Sequence, residues 1–365
     1  MKIAVTGTRG IPDILGGVET HCEALYPLLA AMGVEVKLIR RTAYIDGTNR
    51  LENYKGIKLV DLFSPRKKSI EAIVHTVLAV LYARIKGFKY IHVHSVGPSL
   101  VIPLARLLGL KVVMTHHGPD YDRQKWGKAA KLMLKAGEWC AARFANEIIV
   151  ISETINSILK EKYHRHNAHL IYNGVNIPTP AATDKYISSL GLKTGEYLIA
   201  VGRFVPEKGL HDLIEAYTLS GISQKLVLVG DADHETDYSL EIKKKAIKKG
   251  IVLTGFIKGE KLNEIYTHAG LFVLPSYHEG LPIALLEAMS YNLRVLVSDI
   301  PANLEVNIDK SCYFQVGNVQ SLSEKIKKAI QNPVMVDYIQ LLQQKYNWET
   351  IAGQTYEVYS KLEKN

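Results

Sequence analysis

The fold of this chain is decided by residues 276–289, whose sequence is SYHEGLPIALLEAM. The apolar run of residues 270–275 precedes this stretch and predicts a buried strand, and Pro282 predicts the first position of a helix. A strand, a tight turn and a helix N-terminus leave backbone N–H groups unpaired, and together with the helix dipole these groups favour a bound anion. The stretch therefore predicts a phosphate-binding turn.

Two carboxylates frame this predicted phosphate site. Glu279 lies in the turn and Glu287 lies two helical turns further on, so both can face one bound molecule. Because carboxylates do not hold phosphate, we expect their partners to be hydroxyl groups, and a nucleotide sugar carries hydroxyls on both sides of a diphosphate. The alternative is that Glu279 is a solvated loop residue and Glu287 a surface helix residue.

The composition is that of a soluble globular protein. The 365 residues suffice for two domains with separate cores, and 47% of them are hydrophobic against 22% that are charged. No window approaches ~20 uninterrupted apolar residues, and the N-terminus enters a strand pattern directly, without a signal peptide. The three cysteines are far apart and lack metal-binding spacing. We therefore expect a cytoplasmic protein.

The charge is unevenly distributed along the chain. Residues 1–180 contain 25 Lys and Arg against 14 Asp and Glu, whereas the remainder contains 20 against 22. This asymmetry indicates that the N-terminal half meets an anionic partner, either a nucleic acid or a membrane surface.

Strand and helix patterns alternate twice along the chain. Strands are predicted at residues 2–6, 35–40, 90–94, 111–115, 147–151 and 170–175, and again at 197–201, 225–229, 252–254, 271–274 and 294–298. Helices are predicted at about 18–32, 99–108, 210–219, 321–331 and 350–361. A proline-rich linker, Pro178–Pro180, separates the two sets. The pattern predicts an α/β fold with two doubly wound, Rossmann-like domains that face each other across a cleft.

Two cations follow the first strand of the second set. Arg203 and Lys208 lie in the segment GRFVPEKG, and a guanidinium with an ammonium can clamp both phosphates of a diphosphate. They would also neutralise the charge that grows on a departing diphosphate. An ordinary pair of surface cations is the alternative.

Glycines and histidines mark the strand ends of the first half. Gly16 and Gly17 at a helix start would let the backbone approach a phosphate or a sugar closely. The glycine spacing is not that of a dinucleotide fingerprint, although Asp46 could serve as the ribose-binding acid.

Two pairs of histidines lie on or after strands of the same half. His116 and His117 are adjacent, so at most one can be a ligand group if the backbone is extended. His92 and His94 alternate along a strand, and without a carboxylate partner we predict that they are core or rim residues rather than metal ligands.

Taken together, these motifs resemble the retaining glycosyltransferases of family GT4, which have the GT-B fold. The resemblance covers most of the chain and rests on Glu279 and Glu287, on Arg203 and Lys208, and on the opening GGVE loop. It implies an N-terminal acceptor-binding domain at 1–178, a C-terminal nucleotide-sugar-binding domain at 179–345, and a final helix at 346–365 that crosses back to the N-terminal domain.

The resemblance also implies roles for individual residues. Glu287 would hold the ribose hydroxyls, Glu279 and His117 would contact the donor sugar, Arg203 and Lys208 would hold the leaving diphosphate, and the backbone at Ile257 would meet the base. The turn amides of Gly280, Leu281 and Ile283 would bind the diphosphate. The catalytic set is thus Arg203, Lys208, Glu279 and His117, with no metal and no cofactor beyond the donor substrate.

The segments at residues 7–20 and 122–126 resemble a bacterial subgroup that includes rhamnosyltransferases of polysaccharide assembly. The resemblance implies transfer of a hexose or deoxyhexose from a UDP-, dTDP- or GDP-sugar to a glycan or a polyprenyl-diphosphate-linked acceptor. The acceptor hydroxyl would attack from the face that the nucleotide leaves, with retention of configuration.

Basic residues accompany apolar ones in two predicted helices of the first half. One helix, residues 70–86, follows Arg66, Lys67 and Lys68, and the other, residues 125–144, begins with Lys125 and Trp126. Such helices suit a protein that rests on the anionic inner face of the cell membrane, with solvated helix faces as the alternative.

Three other functions remain open from sequence. A GT-B sugar-nucleotide epimerase would share the architecture, and a non-catalytic nucleotide-sugar binder would share the residues. A nucleic-acid-binding protein would use the basic half, but few aromatics are interleaved with its cations, so we expect no nucleic-acid partner.

Overall fold

The computed structural model describes residues 1–14, 16–47, 49–65, 70–122, 127–232 and 235–364. These residues form two compact units. The first unit contains Met1–Gly174 together with Tyr346–Asn365, and the second contains Val175–Lys345.

The first unit is built on an eight-stranded sheet. Its strands are β1 (Lys2–Thr6), β2 (Glu35–Arg41), β3 (Asn53–Tyr54), β4 (Ile57–Leu62), β5 (Tyr90–His94), β6 (Lys111–His116), β7 (Glu147–Val150) and β8 (His169–Leu170). The order is β3-β4-β2-β1-β5-β6-β7-β8, and every pair is parallel except β3 with β4. The helices between the strands are α1 (Gly17–Ala31), α2 (Glu71–Ile85), α3 (Ile102–Leu107), α4 (Lys128–Phe144) and α5 (Glu153–Tyr163).

The second unit is built on a six-stranded parallel sheet. Its strands are β9 (Tyr197–Val201), β10 (Lys225–Val229), β11 (Val252–Gly255), β12 (Leu271–Leu274), β13 (Val295–Ser298) and β14 (Tyr313–Phe314), in the order β11-β10-β9-β12-β13-β14. Its helices are α6 (Lys185–Ser189), α7 (Leu210–Ser220), α8 (Asp237–Lys248), α9 (Glu260–His268), α10 (Ile283–Ser290), α11 (Pro301–Leu304), α12 (Val319–Gln331) and α13 (Ile339–Lys345).

Continuous apolar strands explain why both sheets are parallel. The sequences IAV of β1 and LFVL of β12 are buried along their whole length, which requires helices on both faces of each sheet. The predicted α/β fold with two Rossmann-like halves is confirmed.

The last helix, α14 (Trp348–Lys364), packs in the first unit against α1. Its inner face buries Ile351, Val358 and Tyr359 in the same core as Leu25 and Leu29 of α1. The end of the chain thus completes the N-terminal core.

Several elements differ from the sequence prediction. The strand β4 and the helices α5, α8 and α9 were not predicted; they are short and contain many polar and charged residues. The strand predicted at 170–175 overlaps β8 only at Leu170, and residues 171–175 do not form a strand. The helix predicted at 99–108 is divided into a 3₁₀ turn, Pro98–Val101, and α3. The cations Arg66, Lys67, Lys68 and Lys125 lie outside the described residues, as does Trp126.

Candidate active site

The loops after β9 and β12 lie side by side because these two strands are neighbours in the sheet. The Tyr277 N–H donates to the Glu207 carbonyl over 2.8 Å. Gly209 has a φ of +64°, and a Cβ at this position would lie 2.1 Å from the Pro275 carbonyl oxygen. Only glycine permits this approach, so the chain brings the two loops together at a position that excludes a side chain.

The close approach joins one predicted cation to one predicted carboxylate. Lys208 Nζ donates to Glu279 Oε1 over 2.6 Å, and the same oxygen accepts from Ser276 Oγ over 2.6 Å. The side chains of Lys208 and Glu279 are only 19% and 10% exposed, which limits the screening of their charges by water. Ser276 is fully buried, and its carbonyl accepts from Ser298 Oγ at the end of β13. The position of Glu279 is therefore set by the ends of three strands.

The helix start after this turn differs by one residue from the prediction. Pro282 precedes α10 as its N-cap, with ψ of 74°, and the helix begins at Ile283. Ile283 N–H donates to the Leu281 carbonyl over 2.9 Å, while Leu285 N–H donates to the Pro282 carbonyl. The N–H groups of Gly280 and Leu281 have no acceptor among the residues that the structure describes.

Glu287 lies half-buried on α10 and is held by a residue that the sequence analysis missed. Tyr266 of α9 donates its hydroxyl hydrogen to Glu287 Oε2 over 3.1 Å. Burial raises the pKa of Glu287, and the hydrogen bond from Tyr266 opposes that rise. The Tyr266 ring stacks on Tyr291 with centroids 5.1 Å apart, which fixes its orientation. No motif signals Tyr266, because its partner lies on a different helix.

Arg203 and Ile257 occupy the same edge of the second sheet. Arg203 follows β9 and Ile257 follows β11, and both are half-buried. The carboxyl ends of parallel strands meet at one edge, so these residues lie on the side of the sheet that carries Lys208 and Glu279.

The glycine-rich loop between β1 and α1 is hydrogen-bonded to a buried carboxylate. Glu19 of α1 accepts from Thr8 Oγ1 over 3.0 Å and from the Arg9 N–H over 2.8 Å. Gly16 has a φ of +147°, and a Cβ there would lie 2.0 Å from Glu19 Oε2. Gly16 therefore makes room for Glu19, and Gly17 begins α1.

The adjacent histidines at the end of β6 face different surroundings. His116 is buried and bonds through Nε2 to Glu138 Oε1 over 2.9 Å, while His117 Nε2 lies 2.9 Å from His94 Nδ1. The prediction that only one of the two can face a ligand agrees with this divergence. His92 and His94 are fully buried, which agrees with a position in the core.

His94 and His117 belong to a group that the sequence analysis did not foresee. One ring nitrogen each of His21, His94 and His117 lies within 4.8 Å of the others. Burial lowers the pKa of His21 to about 4 and lowers the pKa values of His94 and His117 well below their usual range. All three are therefore neutral imidazoles near pH 7. The three histidines come from different elements, so no local spacing could reveal them.

Comparisons with known proteins agree with this architecture. Residues 15–178 match the family described as Glycosyltransferase Family 4, and residues 183–347 match Glycosyl transferases group 1. The chain belongs to the glycosyltransferases of the GT-B fold. This family assignment confirms the coarser part of the resemblance seen in the sequence.

Individual relatives of this glycosyltransferase are distant. An uncharacterised glycosyltransferase of Methanocaldococcus jannaschii is 25% identical over 98% of both chains. A UDP-Gal:α-D-GlcNAc-diphosphoundecaprenol α-1,3-galactosyltransferase of Escherichia coli is 32% identical over 62% of each chain.

Solved structures share the fold at lower identity. A sucrose-phosphate synthase from Thermosynechococcus elongatus has a TM-score of 0.82 at 23% identity, covering 99% of this chain and 98% of its own. The Anabaena protein HepE, in complex with UDP and glucose, has a TM-score of 0.81 at 20% identity, covering 99% and 100%.

The glycosyltransferase has no helix, among the residues that the structure describes, that is long and apolar enough to cross a membrane.

Proposed function

We propose that the protein is a retaining glycosyltransferase that moves a hexose or deoxyhexose from a nucleoside-diphosphate sugar to a glycan or lipid-linked saccharide. The observation that carries this proposal is the ion pair between Lys208, in the loop after β9, and Glu279, in the turn before α10, with Glu287 on α10. The cation and the free turn amides match the diphosphate of such a donor. Glu279 matches the sugar hydroxyls, and Glu287 matches the ribose hydroxyls.

Glu279 is arranged to bind a sugar hydroxyl. Its Oε1 atom is already occupied by Lys208 and Ser276. A carboxylate has two oxygens with about four acceptor positions, so Oε2 can accept a hydrogen bond from a hydroxyl of the donor sugar. The ion pair and the bond from Ser276 hold this carboxylate in one orientation.

Lys208 is arranged to hold the leaving group. An ammonium has three donors, and one of them serves Glu279. The other two, with the guanidinium of Arg203 and the N–H groups of Gly280 and Leu281, would stabilise the negative charge that grows on the departing diphosphate. The acceptor hydroxyl would attack from the same face and pass its proton to a phosphate oxygen.

The candidates for the donor base and sugar come from the ligands and names of similar proteins. HepE was solved with UDP and with UDP-glucose, and the Escherichia coli relative is named for UDP-Gal. We propose UDP-, dTDP- or GDP-sugars as candidates, with His117 against the donor sugar and the backbone at Ile257 against the base. A polyprenyl-diphosphate-linked acceptor agrees with the diphosphoundecaprenol in the name of that relative.

We also propose that the first unit rests on an anionic membrane surface. Five of the exposed positions of α4 recur at helical spacing and form a stripe: Lys128, Leu132, Lys135, Trp139 and Arg143. Leu132 is 71% exposed and Trp139 is 51% exposed. Cations beside exposed apolar side chains complement anionic lipid headgroups and the acyl boundary below them.

Release of nucleoside diphosphate tests the reaction type. The protein is incubated with each candidate nucleotide sugar, with and without a lipid-linked saccharide, and free UDP, dTDP or GDP is measured. A transferase releases diphosphate in an acceptor-dependent manner. An epimerase converts the donor without an acceptor, and a non-catalytic binder releases nothing, so either result would overturn the proposal.

A further inference from the structure

The three-histidine cluster, His21, His94 and His117, is the one group of three His, Cys, Asp or Glu side chains among the described residues with the spacing of a metal site. It lies within the first unit: His21 is on α1, His94 ends β5, and His117 follows β6. Each histidine offers one ring nitrogen, and these nitrogens lie within 4.8 Å of one another.

The orientation of His21 is fixed by a neighbour. His21 Nδ1 lies 2.7 Å from Asn173 Oδ1. A carbonyl oxygen only accepts, so Nδ1 carries the proton and Nε2 presents its lone pair. His21 is 4% exposed, and its Nε2 atom has no hydrogen-bond partner among the described residues. A buried imidazole nitrogen without a partner is costly unless something binds it.

His94 is supported in a similar way. His94 Nε2 lies 2.5 Å from the Tyr26 hydroxyl, and its Nδ1 faces His117 Nε2 over 2.9 Å. The Tyr26 hydroxyl oxygen can accept a hydrogen bond from His94 Nε2–H, because its own hydrogen can be donated to His92 Nδ1, 3.0 Å away. In that arrangement His94 Nδ1 is a lone pair that points at His117. Histidine ligands of metals commonly have their second nitrogen held by such a partner.

We propose that His21, His94 and His117 bind one divalent transition-metal ion, with Zn²⁺ as the best match. Tetrahedral zinc bonds to imidazole nitrogen are about 2.0–2.1 Å, which places two nitrogen ligands roughly 3.3 Å apart. The 2.9 Å between His94 Nδ1 and His117 Nε2 is close to that value, and a small shift of the His117 ring would bring His21 Nε2 to a similar distance. Three neutral nitrogens leave the fourth position open for water.

The half-buried His117 provides the route by which the ion enters. This placement has a consequence that rests on the proposed function. An ion on His117 would hold the ring that we assign to the donor sugar, so metal and donor would compete. The metal would then be an inhibitor of transfer rather than a participant.

Titration of the metal-free full chain with Co²⁺ tests the site, because tetrahedral Co²⁺ absorbs visible light in a characteristic pattern. We expect one equivalent to give this spectrum, and Zn²⁺ to displace it. The spectrum should be lost in His21→Ala and in His117→Ala, and it should be unchanged in His166→Ala, which removes an exposed histidine of the same unit. Thermal melting of each variant establishes that it is folded.

Absence of a stoichiometric spectrum, or its survival in both cluster variants, would overturn the metal site. Separate additions of UDP-, dTDP- and GDP-sugars test the consequence. If cobalt binds in one equivalent and a sugar nucleotide binds without weakening it, the metal site stands and the assignment of His117 to the donor sugar fails.

Discussion

Lys208 Nζ and Glu279 Oε1 lie 2.6 Å apart, although 70 residues separate them in the chain. The pair forms because β9 and β12 are adjacent in the sheet, so the loops that follow them meet. This relationship links the cation that we assign to the leaving group with the carboxylate that we assign to the sugar. A change at either residue should therefore affect the other.

Replacing Lys208 by Met should slow transfer strongly. The variant removes a charge from the leaving group and also releases Glu279 from its fixed orientation. Loss of one such electrostatic contact costs on the order of 10²–10³ in kcat. The control is Lys245→Met, which removes an exposed ion pair with Glu241 in the same unit. Comparable kcat values for the two variants in a diphosphate-release assay would contradict the assignment.

Gly209 should tolerate no side chain. Gly209→Ala would strain a φ of +64° and would place Cβ 2.1 Å from the Pro275 carbonyl oxygen. Gly250→Ala is a matched control, because Gly250 has a φ of +67° and open space around the Cβ position. Backbone strain alone should lower the free energy of unfolding of this control by about 1–2 kcal/mol.

The free energy of unfolding of the Gly209 variant should fall by about 1–3 kcal/mol more than that of the control, because of the clash. The variant should also lose activity, because Lys208 moves. Urea unfolding gives both free energies. Equal losses would show that the approach of the two loops is not as tight as the structure has it.

Glu138 should be the main acid-sensitive anchor of the first unit. Burial alone would raise its pKa, but hydrogen bonds from His116, Lys162 and Tyr163 outweigh burial and lower the pKa to about 2. A depressed pKa stabilises the fold above the ordinary carboxyl value of about 4.3, and this stabilisation is lost as the pH falls towards about 2.

We expect Glu138→Ala to cost about 3–5 kcal/mol at pH 7, since it leaves the buried His116 and Tyr121 without their partner. The difference from wild type should shrink in urea unfolding at pH 3. Glu161→Ala, at an exposed position on α5, is the control and should change little. A difference for Glu138→Ala that stays constant between pH 7 and pH 3 would argue against the network.

Membrane binding should depend on the stripe on α4. The double variant Leu132→Glu with Trp139→Glu should reduce flotation with anionic phosphatidylglycerol vesicles. Leu240→Glu, on an exposed position of α8, should float as wild type does. Equal recovery of wild type with anionic and neutral vesicles would remove the membrane proposal.

Elements whose residues are contiguous in the chain could be predicted from the sequence. The strand β12, the turn through Glu279 and the helix α10 are contiguous, so apolar pattern and turn chemistry sufficed to place them within one residue. The strands β1, β5 and β9 were predicted to their ends for the same reason.

Side-chain contacts between elements that are distant in the chain could not be predicted from the sequence. The bond between Lys208 and Glu279 depends on strand order, and the contact of Tyr266 with Glu287 depends on how α9 packs against α10. The three-histidine cluster draws His21 from α1, His94 from β5 and His117 from the loop after β6. Such contacts follow from tertiary packing, which local periodicity does not encode.

The measurement that tests the central claim most directly is calorimetric titration of wild type, Glu287→Gln and Glu215→Gln with UDP, dTDP, GDP and ADP. Burial raises the pKa of Glu287, so its charge is disfavoured in the fold, and the Gln variant should be at least as stable as wild type at pH 7. Glu215 is exposed on α7 and serves as the control.

We predict that one diphosphate binds wild type and Glu215→Gln equally. Its affinity for Glu287→Gln should be about 10- to 100-fold weaker, because hydrogen bonds from the ribose to a charged group are lost. Equal affinity for all three proteins, or no binding of any diphosphate, would contradict the assignment of the donor site.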